Sequence, residues 1–144
     1  KAKKIQKIEK TIRKLKNKDQ LDLVIIDYIQ LIKNSKKLPS REQEVADITR
    51  TLKLLSLELE IPIIGLCQLN RNATKAEPTL ADLRESGSIE QDADNVWFLY
   101  QEKEDESNVV DVTLKIAKQR AGEIGKVQLK FNKPNSEFTG GMRC

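Results

Sequence analysis

The chain has 144 residues, with 26 Lys and Arg against 22 Asp and Glu, two cysteines and no histidine. That length holds one domain with a core, while the lack of histidine argues strongly against a zinc site or a His-based triad, and no apolar run approaches the roughly 18 residues of a membrane span. The net charge of +4 is uneven, because Lys1–Lys18 holds nine Lys or Arg and one acid, Glu9, leaving 17 basic and 21 acidic residues elsewhere.

Lys1–Lys18 places Ile5, Ile8, Ile12 and Leu15 at spacings of three and four, a helix with one apolar stripe. So short a helix needs a partner surface. Its basic face can touch phosphate backbones, although a charged run is more often a solvated face. Leu21–Asp27 is a short apolar run ending in an acid, the pattern of a parallel strand buried on both faces. Tyr28–Ile32 extends beyond it, and Lys33–Pro39 is a basic, polar loop. Ser40 and Gln43 form a capping-box pair opening a helix with Val45, Ile48, Leu52, Leu55 and Leu59 on one face. Pro62 stops it near Glu60. Ile61–Leu66 is a second buried strand, completing a strand–helix–strand unit.

Asn72–Thr79 is a polar loop, and Leu80–Asp94 carries no clean helical face and is interrupted by Gly87. Asn95–Tyr100 is a third strand, followed by an acidic loop. Val110, Val112, Leu114 and Ile116 alternate with polar residues, as do Val127, Leu129 and Phe131, so two strands form a hairpin with Lys118 and Arg120 at its tip. The stretch from Asn132 reads as irregular. The pattern is α/β, mostly parallel sheet flanked by helices, with a C-terminal β-hairpin. Cys67 and Cys144 make no metal or disulfide spacing, and with no signal-peptide pattern at the start a reducing, cytoplasmic setting fits.

In open α/β sheets ligands sit beyond the carboxyl ends of the strands. Asp27 there can hold Mg²⁺ beside a nucleotide phosphate, since Mg²⁺ takes hard oxygen ligands and only one or two carboxylates; an exposed acid ending a strand is the plainer reading. Gln68, just past the second strand, can hydrogen-bond a terminal phosphate or orient water, or simply cap the surface. Lys118 and Arg120, two apart, can act as an arginine finger on a neighbouring phosphate site or only keep a hairpin soluble. Arg84, Glu85, Ser86 and Gly87 form a loop able to offer one cation and backbone N–H groups to a phosphate chain. Few aromatics are available for base stacking, so single-strand binding would be by backbone and charge. The phosphate cradle GxxxxGK[ST] is absent; Gly125–Lys126 does not complete one, because Arg120 replaces the first glycine and Val127 the Ser or Thr.

The blocks DLVIIDYIQLI, GLCQLNR, DLRESGSIEQDAD and KQRAGEIG, in that order, resemble the C-terminal ATPase domain of DnaB-type replicative helicases. The resemblance runs from about Ile8 to Phe131. It implies a partial RecA-like P-loop NTPase fold within a single domain, with a helix over about 1–18, a core over 19–131 and a tail over 132–144. It further implies a hexameric ring that uses ATP and Mg²⁺ to move along single-stranded DNA and unwind duplex. Asp27 matches the Walker B acid that holds Mg²⁺, and Gln68 the glutamine that senses the γ-phosphate. Arg84, Glu85 and Gly87 match the central-pore loop on the DNA backbone, and Lys118 and Arg120 the pair reaching the adjacent subunit's nucleotide. The family's phosphate-binding loop, its catalytic glutamate and the collar that binds primase lie upstream of the point matching Lys1; primase and loader contacts would run through those regions.

Three readings follow. A helicase segment should not hydrolyse ATP alone. A non-catalytic remnant or interaction module should modulate an intact helicase ring. A RecA-like recombinase or clock-type ATPase shares the strand and acid, but DLRESGSIEQDAD argues against it. Missing strands should leave a parallel edge that dimerises or is covered by the first helix.

Overall fold

The computed structural model describes residues 3–69, 77–103 and 105–143. These form two compact units, Lys1–Asn70 with Leu83–Asp92, and Arg71–Asp82 with Ala93–Cys144. The polar loop expected over Asn72–Thr79 lies mostly outside the described residues.

In the first unit the apolar stripe becomes helix α1 (Ile5–Lys16), with Ile5 and Ile12 buried. Helix α2 (Arg41–Leu59) opens as expected at Ser40, whose hydroxyl accepts the Gln43 N–H at 3.2 Å. It closes at Glu60, which is left-handed at φ 51°, and Pro62 follows. Arg13 of α1 ties the two helices together by donating to Glu58 of α2 at 2.8 Å, while also pairing with Glu9 one turn back. Strand β1 (Val24–Ile26) and strand β2 (Ile63–Gly65) pair in parallel, Val24 opposite Ile63 and Ile26 opposite Gly65. Helix α2 is the crossover that parallel pairing requires.

Alternation along these strands divides the pair into two faces. Val24, Ile26 and Ile63 pack with Ile5, Val45, Ile48 and Leu52. The other face carries Leu23, Ile25, Ile64 and Leu66, which are 42%, 62%, 44% and 45% exposed. The expectation of a strand buried on both faces is therefore met on one face only, because α1 and α2 both pack on that side. Beyond β1, Ile29–Leu31 is a short 3-10 helix.

The stretch from Leu80 is helical despite its irregular pattern, as a 3-10 segment (Leu80–Ser86) kinked at Leu83 and then α3 (Gly87–Asp92). Ile89 joins the first unit's core, and Asp92 accepts the Thr49 hydroxyl of α2 at 2.8 Å. A long-range apolar contact and a polar one thus fix a segment whose own periodicity is weak.

The second unit is an antiparallel sheet in the order β3 (Asn95–Tyr100), β4 (Val109–Gln119), β5 (Gly125–Asn132) and β6 (Glu137–Arg143). The expected hairpin is β4–β5. The stretch after Asn132 is a strand and not irregular. Ser136, left-handed at φ 51°, turns the chain, and Phe138 lands on Phe131 with ring centroids 4.5 Å apart. Pro134–Asn135 is the turn chemistry that allows it.

Candidate functional site

Asp27 follows β1 directly and is exposed. Its carboxylate makes no hydrogen bond or ion pair with a described residue. Gln68 stands three residues past β2 and is likewise exposed. Because the strands are parallel, both residues emerge at the same, carboxyl end. The ladder continues past the strands: the Leu66 N–H donates to Ile26 O and the Ile29 N–H to Leu66 O, each at 2.9 Å. The peptide between Asp27 and Tyr28 is cis.

A second set of contacts fixes Gln68. The Gln30 side-chain amide donates to Gln68 O at 3.1 Å and accepts the Gln68 N–H at 3.4 Å. It therefore clamps the main chain of Gln68 and leaves the Gln68 side chain to the solvent. Arg41, in the first turn of α2, in turn donates to Gln30 O at 2.6 Å and Ile32 O at 3.2 Å and pairs with Glu44. The Glu44 carboxyl is held below the usual carboxylate range, chiefly by the Asn34 N–H and also by Arg41. Asn34 is buried and also accepts from Gln6 of α1 at 2.9 Å. The basic loop after β1 is thus anchored at its base to both helices.

Gly65 sits beneath this corner. A Cβ there would lie 2.4 Å from Ile29 Cδ1, so any larger residue at this position displaces the Ile29 side chain. Next to Gln68, burial pushes the Cys67 thiol up to about 11. It packs against the main core, where the thiol form is favoured at neutral pH.

Among the described residues no group of three or more His, Cys, Asp or Glu could hold a metal. A lone exposed carboxylate at a strand end does fit Mg²⁺, which shares its shell with phosphates and water. It does not fit a metal caged by protein alone.

Lys118 and Arg120 belong to the second unit. Lys118 lies within β4, half-buried opposite Val96, beside an irregularity in the β3–β4 register. Arg120 is the first residue past β4; its N–H donates to Asp94 O at 3.0 Å and its guanidinium pairs with the Asp94 carboxylate at 2.9 Å while remaining 74% exposed. Both lie beyond Ile116–Gly125, the last pair of the β4–β5 hairpin, Lys118 still paired with β3 and Arg120 past the strand. Arg84, Glu85 and Gly87 run in helical backbone and not an open loop, and their side chains lie outside what the structure describes. Gln30 and Arg41 were not legible as site residues. Their only signals are position, Gln30 just past an apolar strand and Arg41 just inside a capped helix.

The sequence profile of the DnaB-like helicase C terminal domain matches residues 1–140. The chain belongs to that family. It is 44% identical over 141 residues to the replicative DNA helicase DnaB of Geobacillus stearothermophilus, and 43% identical over 143 residues to the replicative DNA helicase DnaC of Bacillus subtilis. Each match takes in 93% of this chain and 31% of the relative, so the chain spans under a third of their length. It superposes on a solved ATPase domain with a TM-score of 0.85 at 36% identity, covering 97% of this chain and 52% of that one. A DnaB-like replicative helicase, solved to describe its interactions with primase, gives the same TM-score at 39% identity, covering 96% and 36%. The DnaB-type fold accounts for the architecture: α/β, partial RecA-like, with a parallel sheet flanked by helices and a C-terminal antiparallel region.

Proposed function

We propose that this chain is part of the ATPase domain of a replicative DNA helicase, a hexameric ring in the cytoplasm that unwinds duplex DNA by ATP-driven movement on a single strand. The observation that carries this reading is the pair Asp27 and Gln68, exposed together at the carboxyl end of β1 and β2 and braced by the Gln30 clamp, in a DnaB-family chain. Asp27 would hold the Mg²⁺ of ATP, and that ion would neutralise phosphate charge during transfer. Gln68, with its main chain fixed, would hydrogen-bond the terminal phosphate. The Arg120 guanidinium, held by an exposed ion pair of small energetic weight, would leave the Asp94 carboxylate and reach a neighbouring subunit's nucleotide with Lys118. Arg84, Glu85 and Gly87 would contact the backbone of single-stranded DNA. Primase and loader would bind regions of the helicase outside this chain.

Both compact units would then belong to one ATPase domain, with a helix over 1–18, a core over 19–131 and a tail over 132–144. The sequence contains no GxxxxGK[ST], so the purified chain should not turn over MgATP. Hydrolysis by the chain that disappears in Asp27→Asn would overturn this assignment of halves.

The bare apolar face of Leu23, Ile25, Ile64 and Leu66 favours a second reading, in which the chain docks as a non-catalytic module on an intact helicase ring. Adding excess chain to such a ring should then slow fork unwinding. Unchanged unwinding at saturation would remove that reading.

A further inference from the structure

We propose that helix α1 is a contact surface for the phosphodiester backbone of a nucleic acid, separate from the Arg84–Gly87 segment. All of the chain's positive excess lies here, since the residues after Lys18 carry 17 basic and 21 acidic side chains. Lys7, Lys10 and Lys14 are exposed. At about 100° per residue they fall within a sector of about 60° on α1. None is ion-paired with a described residue.

The buried positions Ile5 and Ile12 lie on the opposite side of the helix. Arg13 and Lys16 are half-buried on the protein side of the helix, and Arg13 pairs there with Glu9 and Glu58. The structure thus separates a neutralised structural cation from an unneutralised row. The helix that carries the row is fixed by a buried face and an interhelical ion pair, so only the lysine side chains have to be ordered on binding.

Spacing fits the ligand. Lys7 to Lys14 spans about 10 Å of helix at 1.5 Å per residue. A B-form strand presents a phosphate about every 3.4 Å of axis, roughly three over that length. Lysine suits such a surface because it acts as a point charge and does not demand planar, bidentate geometry. The contact should be insensitive to base sequence and strongly sensitive to salt. It does not rest on the ATPase reading, since it uses none of the residues assigned there.

The test is fluorescence anisotropy of the purified chain with labelled oligo(dT) and with a blunt duplex over a salt series. Wild type is compared with Lys7→Gln/Lys10→Gln/Lys14→Gln, with the equal-charge control Lys103→Gln/Lys130→Gln/Lys133→Gln, and with Arg84→Ala. The α1 variant should bind more weakly and lower the slope of log K against log salt by about 2–3, at 0.7–0.9 per phosphate contact. A larger loss on duplex would identify double-stranded backbone as the ligand, and a larger loss on oligo(dT) a single strand. The proposal is overturned if the slope is unchanged, if the control loses as much as the α1 variant, or if wild type binds anionic phosphatidylserine vesicles but neither DNA. Loss in Arg84→Ala with none in the α1 variant would leave the helicase reading standing and remove this one; loss in the α1 variant with none in Arg84→Ala would support this one and remove only the DNA contact assigned to Arg84.

Discussion

Gly65 is the residue on which the geometry of the strand ends turns. Ile29, which a Cβ at Gly65 would strike at 2.4 Å, is itself buried at 6% exposure in the main core. It has little room to give, so Gly65→Ala should overpack this corner and cost about 1–3 kcal/mol. A lower urea midpoint at unchanged slope is the expected result; an unchanged midpoint would mean that Ile29 repacks freely. Asp27 and Gln68 could be found by reading the sequence, because an acid and an amide directly after apolar runs mark strand ends without any tertiary information. The Gln30 clamp could not. Its partner is 38 positions away, and nothing local in DYIQLI distinguishes an amide that holds a loop from one that faces water. Arg41 was hidden because its acceptors, Gln30 O and Ile32 O, are main-chain atoms that no side-chain pattern marks.

Among the elements, those with local signals were read correctly. Helix α2 begins at its cap and ends before Pro62 because both signals act within one turn. Ser40→Ala should cost about 1 kcal/mol, seen as a lower thermal midpoint. No change would mean that Gln43 N–H finds water as good a partner as the hydroxyl. Helix α1 was legible from four apolar residues, and its tie to α2 through Arg13 and Glu58 was not. The elements misread are those whose stability is long-range. Strand β6 carries Gly140 and Gly141, which depress strand propensity; its pairing is supplied by the completed β5 and the Phe131–Phe138 contact. Leu80–Asp92 was obscured by its short, kinked pieces, one of which is held by Ile89 and Asp92 against α2.

At the scale of the whole molecule, a parallel pair with one apolar face uncovered is the clearest departure from what the strand patterns implied. Parallel sheets occur with both faces covered. Here Ile25 and Ile64 stand 62% and 44% exposed, and the chain covers 52% of the solved ATPase domain on which it superposes. The apolar runs LVII and IPIIGL carry the pattern of burial on both sides, and α1 and α2 cover one side of them. The family was legible because four ordered blocks survive in sequence; the division into two compact units was not, because it rests on contacts between residues far apart in the chain. The most direct measurement is complementation. The part of the Geobacillus stearothermophilus relative that the match leaves out is supplied as a separate polypeptide and MgATP hydrolysis is followed. Neither piece should be active alone. The mixture should form a complex and hydrolyse ATP, and Asp27→Asn should abolish that activity while leaving the complex intact. A complex whose hydrolysis is the same with Asp27→Asn, or hydrolysis by this chain alone, would contradict the assignment of Asp27 and Gln68 to one half of a helicase nucleotide site.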